Sequence, residues 1–453
     1  MGSLRGTEAG AVVVPISSPE AADADRFGPK AANLARLGHA GLPIPDGFCV
    51  DAAAYRMQLA AAGLEADAHR VSSPDPGEAR RAALAMKLGL LDGPIVPKLR
   101  DDLLEAWRAL ADATAAPTVV RSSALVEDRF GSSFAGQFQS YLGLEGEDDF
   151  LTAVRSCWAA LWATRVLRYM ATHDASPADT AMAVLVQPLV DARAAGGGLS
   201  RTTGDDMVIT STLGLGAGIA QGEVVPDRFV IARDGSLSDS SIGRIAHRHG
   251  CAHGARTPRR APIDEPSLAP GEALRLGTLL RKTEEVMGMP VEIEWALDDT
   301  GFKLLQARPL HVEPAAVPDE IWLRHPGLNG HPAGVGWGSG RACVVNCECE
   351  LARVGPGDIL VTKVAGPSLA QVLPRIAGVV AELGGSTSHL ASLARERGIP
   401  AVFGVLEATE CIPDGVQVAV DGVAGVVRWL PATPAQSNAV TKVVPASPGM
   451  TQR

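Results

Sequence analysis

The chain has 453 residues, of which 46% are apolar, 20% charged and 4% aromatic. That length leaves room for roughly three domains of about 150 residues, and the composition falls outside the disordered and collagen-like classes. With 51 acidic against 41 basic residues the formal net charge is −10, which argues against non-specific nucleic-acid or anionic-membrane binding as the main activity. Seven scattered cysteines read as reduced thiols, so a cytoplasmic location is expected. The apolar stretch Ala11 to Ile16 is too short for a signal segment, and no run approaches the roughly eighteen apolar residues that span a bilayer. Gly6 stands where a myristoylation start needs Ser or Thr. Neither a nucleic-acid nor a membrane partner is expected.

In chain order, Lys30 to about Leu37 has helical spacing, and Gly41, Pro43 and Pro45 stop that helix before a short strand at Phe48 to Val50. Leu103, Leu104, Trp107 and Leu110 form one stripe of an amphipathic helix over Arg100 to Ala113. A strand at Thr118 to Val120 runs into Arg121-Ser122-Ser123, residues 151–170 read as a helix, and Ala181 to Leu189 as a buried strand. Gly196-Gly197-Gly198 and Gly214 to Gly218 are expected as loops where backbone approaches something closely. Val291 to Leu297 alternates strictly, and a turn at Asp298 to Gly301 leads into Phe302 to Arg308, completing a hairpin. Prolines and glycines crowd His311 to Gly340, which places a domain boundary there; beyond it short strands alternate with single helices. The expected organisation is a first domain over 1–312, a linker over 313–340, a second domain over 341–430 and a polar tail over 431–453.

The most informative stretch is Val379 to Val405. A strand ends at Glu382, Gly384-Gly385 make a tight loop, and Ser386-Thr387-Ser388-His389 open a helix that ends at Gly398 before Pro400. A histidine at a helix N-terminus feels the positive end of the dipole, which keeps the imidazole neutral and nucleophilic and stabilises a phosphate bonded to it. Alone, such a histidine more often just caps its helix. The run Gly384-Gly385-Ser386-Thr387-Ser388-His389-Leu390-Ala391-Ser392-Leu393-Ala394-Arg395-Glu396-Arg397-Gly398-Ile399-Pro400, however, closely resembles the phosphohistidine segment of the phosphoenolpyruvate synthase, pyruvate phosphate dikinase and rifampicin phosphotransferase family. Gly357-Asp358-Ile359-Leu360-Val361, Asp414-Gly415 and Val420-Asp421-Gly422 agree with the same family. The resemblance implies a small swivelling α/β domain in which His389 is the phosphorylated position and Thr387 belongs to the catalytic segment.

The N-terminal part resembles the family's ATP-grasp nucleotide-binding domain, so the implied fold class is α/β and α+β. Gly28-Pro29-Lys30-Ala31-Ala32-Asn33-Leu34 and Gly41 to Phe48 carry the resemblance, with Lys30 as a phosphate contact. Val120-Arg121-Ser122-Ser123 and Ser133-Phe134-Ala135-Gly136-Gln137 match phosphate-handling stretches: Arg121 can bind polyphosphate bidentately, and small residues around Gly136 let backbone N–H groups close over phosphates. Glu127 and Asp128 read at least as well as a loop acid pair satisfying nearby backbone. On the strand Val291 to Leu297, the period of two puts Glu292 and Glu294 on one face, a pair able to hold Mg²⁺, although an acidic strand face is more often the solvated side of a sheet. By resemblance Glu294 and Gln306 are metal ligands, Glu292, Gln306 and Arg308 surround the phosphates, and Gln187 is the hinge beside adenine. Gly214-Leu215-Gly216, Gly222-Glu223 and Pro226-Asp227 complete the match. Ala195 to Ser200 departs from the family pattern and is expected to be a more mobile loop.

His247, His249, Cys251 and His253 have a spacing that can bind Zn²⁺, but a solvated loop is the better reading; Cys343, Cys347 and Cys349 read as strand residues. The resemblance runs from about Arg26 to Gly425 and includes neither a C-terminal barrel for phosphoenolpyruvate or pyruvate nor a drug-binding insertion. It implies an ATP-dependent phosphotransferase of dikinase type, in which phosphate passes from Mg·ATP through phosphorylated His389 to an unidentified small-molecule acceptor, leaving AMP and phosphate. The acceptor binds either on a separate acceptor-binding protein, the slightly favoured reading, or in the cleft between the domains. The alternatives are a ligase that phosphorylates a substrate for condensation and a non-catalytic ATP-binding module.

Overall fold

A computed structural model describes residues 11–430 apart from 128–133, 135, 172–174, 244–265, 311, 313–321, 323, 324 and 326. Three sheets organise it. The first is antiparallel throughout, in the spatial order Val13–Pro15, Phe48–Val50, Met182–Pro188, Thr118–Ala124, Ser140–Leu144. Met182–Pro188 is buried along nearly all its length, in keeping with its apolar run, and Thr118–Ala124 is buried throughout, so the strand extends past Val120 through Arg121 to Ala124.

The second sheet is also antiparallel, in the order Gly301–Pro309, Val291–Asp298, Ala194–Leu199, Met207–Leu213, Asp227–Ile231, Leu237–Ser241. Phe27, Leu34 and Leu37 of the Ala24–His39 helix and Leu276 and Leu280 of the Pro270–Met287 helix share one core with Ile293 and Trp295 of this sheet. Full burial of each such aliphatic side chain stabilises the fold by roughly 1.5–3 kcal/mol. The sheet corrects one expectation: Gly196, Gly197 and Gly198 are not a mobile loop but the middle of a strand paired on both sides. Their missing side chains make room, since a Cβ on Gly196 would lie 1.9 Å from the Thr210 carbonyl oxygen.

The third sheet is mixed, in the order Gly327–Asn329, Val426–Trp429, Gln417–Asp421, Trp337–Val345, Ile359–Thr362, Gly378–Ala381, Ala401–Phe403, His331–Pro332. Its middle strands from Trp337–Val345 to Ala401–Phe403 run parallel. Gly327–Asn329, His331–Pro332 and the start of Trp337–Val345 thus lie within the stretch expected as a linker. Residues 151–170 do not form one helix: Glu147–Ala160 ends and Thr164–Ala171 begins after tightened turns at Trp162 and Ala163. The break seats the Trp162 indole in the core, where its N–H donates to the Tyr55 hydroxyl at 2.9 Å. Cys343 is a buried strand residue as expected, whereas Cys347 caps the short helical turn Glu348–Arg353 that contains Cys349.

The first helix is interrupted at Gly28, whose φ of 74° and ψ of 157° are not helical. Pro29 then opens a fresh turn, a position where its missing N–H costs nothing, and Lys30 follows it. A Cβ on Gly28 would come within 2.4 Å of the Ser123 carbonyl oxygen. Gly28→Ala is therefore expected to lose more than about 1 kcal/mol of stability. Gly41→Ala is expected to lose less, since Gly41 has a similar φ of 77° but open space around it; thermal unfolding of the two variants measures the difference.

Candidate active site

His389 is the first residue of the His389–Glu396 helix, and the Ser388 side chain caps that helix by accepting from the Ala391 N–H at 3.3 Å. The loop before it reaches this point through Gly384, at φ 102°. Glycines on the first domain then let the loop approach. A Cβ on Gly136 would sit 3.3 Å from the His389 Cβ, and one on Gly197 would sit 2.5 Å from the Thr387 Cβ. Thr387 and Thr210 exchange a hydroxyl hydrogen bond of 2.5 Å, the Gly384 N–H donates to the Val224 carbonyl at 3.0 Å, and the Tyr169 hydroxyl donates to Glu396 at 2.5 Å. The histidine loop is therefore docked on the first domain.

A cavity of about 400 Å³ lies at this seam, and its lining includes Lys30, Arg121, Gln187, Glu294, Gln306, Arg308, Thr387 and His389. The Lys30 ammonium donates to the Ser122 carbonyl at 2.9 Å and pairs with Glu127 at 2.8 Å. Glu127 also accepts from the Ala124 N–H at 3.2 Å, so it serves both backbone and lysine. Arg121 donates to the Leu305 carbonyl, to Gln306 Oε1 at 2.8 Å and to Glu294 Oε2 at 3.2 Å. Gln187 holds the Pro45 carbonyl at 2.9 Å and faces the same cavity from the first sheet.

Glu294 and Gln306 stand directly opposite each other on the paired strands. The Glu294 side chain keeps 41% of its accessible surface, opening into the cavity. A carboxylate and an amide oxygen side by side are hard donors, and Mg²⁺ commonly takes one or two protein carboxylates with phosphate and water oxygens. Among the described residues no group of three or more His, Cys, Asp or Glu could hold a metal by itself. The pair has the donor chemistry for a cation delivered with a nucleotide, and both oxygens here accept from Arg121, which would have to release them to the metal. The His247 to His253 segment lies outside the described residues, as do Asp128, Ser133 and Ala135.

Glu292 behaves differently from its neighbour. It is absent from the cavity lining and is buried under the His389 helix, paired with Arg308 at 3.1 Å and Arg395 at 3.0 Å. Ser392 lies 3.0 Å from both of its oxygens. The two carboxylates share a strand face but do not meet at one site, because a two-residue step carries them roughly 6.5 Å apart and different elements stand over each. Ser392, Arg395, Thr210 and Tyr169 are seam residues that the sequence reading did not single out. Ser392 and Arg395 lie within the quoted histidine segment, but nothing in their spacing announces partners about one hundred residues away.

The local charges follow from this geometry. Desolvation inside the cavity would raise the Glu294 carboxyl, but Arg121, His389, Arg308 and Lys30 together hold it below the ordinary carboxylate range. Burial likewise opposes Glu292, and Arg308 and Arg395 hold it low. Burial pushes the His389 imidazole below its ordinary value, Glu294 pulls it back up, and Arg308 and Lys30 push it down again. The balance favours the neutral ring.

Comparison with known proteins matches two regions of the chain. Residues 24–322 match the family described as pyruvate phosphate dikinase, AMP/ATP-binding domain, and residues 354–425 match the PEP-utilising enzyme, mobile domain. The chain is 33% identical over 461 aligned positions to a phosphoenolpyruvate synthase of Aeropyrum pernix, covering 88% of this chain and 56% of that one. A probable phosphoenolpyruvate synthase of Methanothermobacter thermautotrophicus is 31% identical over 415 positions, covering 88% and 61%. A prodigiosin synthesizing transferase of Serratia marcescens is 37% identical over 311 positions, covering 66% and 33%. The chain spans between half and two thirds of the length of the phosphoenolpyruvate synthases it matches. With an ATP-grasp-type domain followed by a mobile domain bearing His389, it belongs to the pyruvate phosphate dikinase AMP/ATP-binding family.

Proposed function

We propose that this chain is an ATP-dependent phosphotransferase that passes phosphate from Mg·ATP through a phosphohistidine at His389 to a small-molecule acceptor. The observation that carries this reading is the docking of a histidine at a helix N-terminus into the same cavity as Lys30, Arg121, Glu294 and Arg308. Attack by the imidazole on the β-phosphorus of ATP breaks the bond to the α-phosphate oxygen, releases AMP and leaves a pyrophosphate group on His389; attack of water on the γ-phosphorus then breaks the β–γ bond, releasing phosphate and leaving phosphohistidine. Such a transfer depends on positioning and charge neutralisation more than on further covalent chemistry.

In this reading Lys30, Arg121, Gln306 and Arg308 hold the phosphates, and Gln187 lies beside the adenine. Glu294 and Gln306 hold Mg²⁺, which neutralises phosphate charge when bound. Thr387 orients the segment that carries His389 through its bond to Thr210. The names of the archaeal relatives make pyruvate the first acceptor to test, either bound to a separate acceptor-binding protein or within the seam. A condensing ligase is the second reading, supported by the likeness to a relative that by name synthesises prodigiosin. It would leave no phosphate on the product. The described residues include no helix long and apolar enough to cross a membrane, and the proposed location is the cytoplasm.

The deciding experiment is incubation with Mg²⁺ and ATP labelled at the β-phosphate. Acid-labile label is expected on the native chain and none on His389→Ala; absence of label on the native chain despite ATP binding overturns the carrier reading. The depressed His389 pKa predicts a second outcome. Protonation removes the nucleophile, and an ordinary histidine titrates near pH 6.5. The acid limb of phosphohistidine formation should therefore have its midpoint below pH 6.5, lower than an ordinary histidine would give. In the nucleotide-free chain the Glu294 carboxylate favours the protonated ring, so Glu294→Gln should lower the His389 pKa there; rapid-quench rates across pH 5–8 check the acid limb, and NMR titration of His389 without Mg·ATP checks the variant.

A further inference from the structure

We infer that Glu292 is the docking receptor for Arg395, a positioning residue that seats the His389 helix on the first domain and not a ligand of phosphate or metal. Three observations carry this. The Glu292 carboxylate lies outside the cavity lining, while Glu294, two residues along the same strand face, opens into it. The Glu292 side chain is 7% exposed, and of its three neighbours Arg308 comes from the adjoining strand, whereas Ser392 and Arg395 come from the His389 helix. The guanidinium of Arg395 is divided between the two domains. Its Nη2 donates to Glu292 at 3.0 Å, and its Nη1 donates to the Ser386 carbonyl at 2.5 Å and the Ala333 carbonyl at 3.1 Å.

Ser386 lies three residues before His389, so the group that grips Glu292 also fixes the loop that presents the histidine. The contact acts on the cavity as well. Arg308 donates to Glu292 and, at 2.5 Å, to the Ser392 hydroxyl, while also lining the cavity. Docking therefore settles the orientation of an arginine beside the phosphate position at the moment the histidine arrives. Separation of the domains would leave Arg308 its bond to Glu292 and remove its bond to Ser392. The geometry of the latch stands by itself; its effect on phosphate transfer rests on the carrier reading of His389.

The test uses the full chain with Arg395→Gln, Glu292→Asp and the double variant. Glu292→Asp keeps the charge but withdraws the carboxylate by about 1.5 Å, one carbon–carbon bond. Three quantities are measured: Mg·ATP affinity by calorimetry, single-turnover phosphohistidine formation, and domain separation by small-angle X-ray scattering. Each single variant is expected to bind Mg·ATP within twofold of native, to form phosphohistidine at least tenfold more slowly and to scatter as a more extended molecule. The double variant should be no slower than the worse single by more than twofold, because both remove one contact. The inference is overturned if Glu292→Asp weakens Mg·ATP binding tenfold while Arg395→Gln leaves affinity and scattering unchanged, or if the two rate effects multiply. If Arg395→Gln fails to fold, Glu292→Asp decides alone: extended scattering with native affinity supports the latch, and native scattering overturns it. If the native chain forms no phosphohistidine, the carrier reading falls, and the scattering comparison still decides the latch.

Discussion

The docked arrangement depends on a carboxylate buried between two guanidinium groups. Removing Glu292 from water carries a desolvation penalty of several kcal/mol, and only good geometry with further hydrogen bonds offsets it. Arg308, Arg395 and the Ser392 hydroxyl supply that geometry from two different domains. A buried pair of this kind contributes little net stability compared with apolar packing, yet breaking it by losing one partner is costly. It therefore acts as a selector: the His389 helix fits the second sheet in the one register that places Arg395 over Glu292. The rest of the seam follows from that register, including the Thr387–Thr210 and Tyr169–Glu396 hydrogen bonds.

Around the cavity the opposite strategy operates. Lys30, Arg121 and Arg308 face a volume in which the lining carboxylates are Glu127 and Glu294, and Glu127 is already engaged by Lys30. Cations in a partly water-excluded site act more strongly on a polyphosphate than they would in water. Burial first, and then Arg308 and Lys30 among the same cations, disfavour a charged histidine here. One charge arrangement thus favours both a phosphate and a neutral nucleophile, while Glu294 limits how far the ring is depressed.

Much of this was legible in the sequence, and the parts that were not share a cause. The alternation Val291 to Leu297 placed Glu292 and Glu294 on one face, the hairpin followed from its turn, and the histidine's position at a helix start followed from Gly384, Ser388 and Gly398. What stands over each carboxylate was not legible, because Arg395 and Ser392 lie about one hundred residues away and no local periodicity encodes that pairing. Glycine is a poor strand former in isolation, so locally the triple glycine suggests a loop. It is a strand because its two neighbours and the approaching Thr387 leave no space for side chains. The prolines and glycines of 313–340 suggested a linker for the same local reason, although Gly327–Asn329 and His331–Pro332 close the two edges of the third sheet.

The glycine-lined seam has a consequence for how the two halves can change over time. A Cβ on Gly222 would lie 2.4 Å from the Ala365 carbonyl oxygen and one on Gly385 would lie 2.6 Å from the Pro226 ring, besides the close approaches at Gly136 and Gly197. These contacts recognise volume and not chemistry, so they discriminate poorly between polar and apolar neighbours but reject any added bulk. Sequence drift at the seam is then constrained in pairs: a larger residue on one half survives only alongside a smaller one on the other. The nucleotide half and the histidine half therefore form a matched set, and exchanging either for the counterpart from a distant relative would bring mismatched volumes together before any question of chemistry arose.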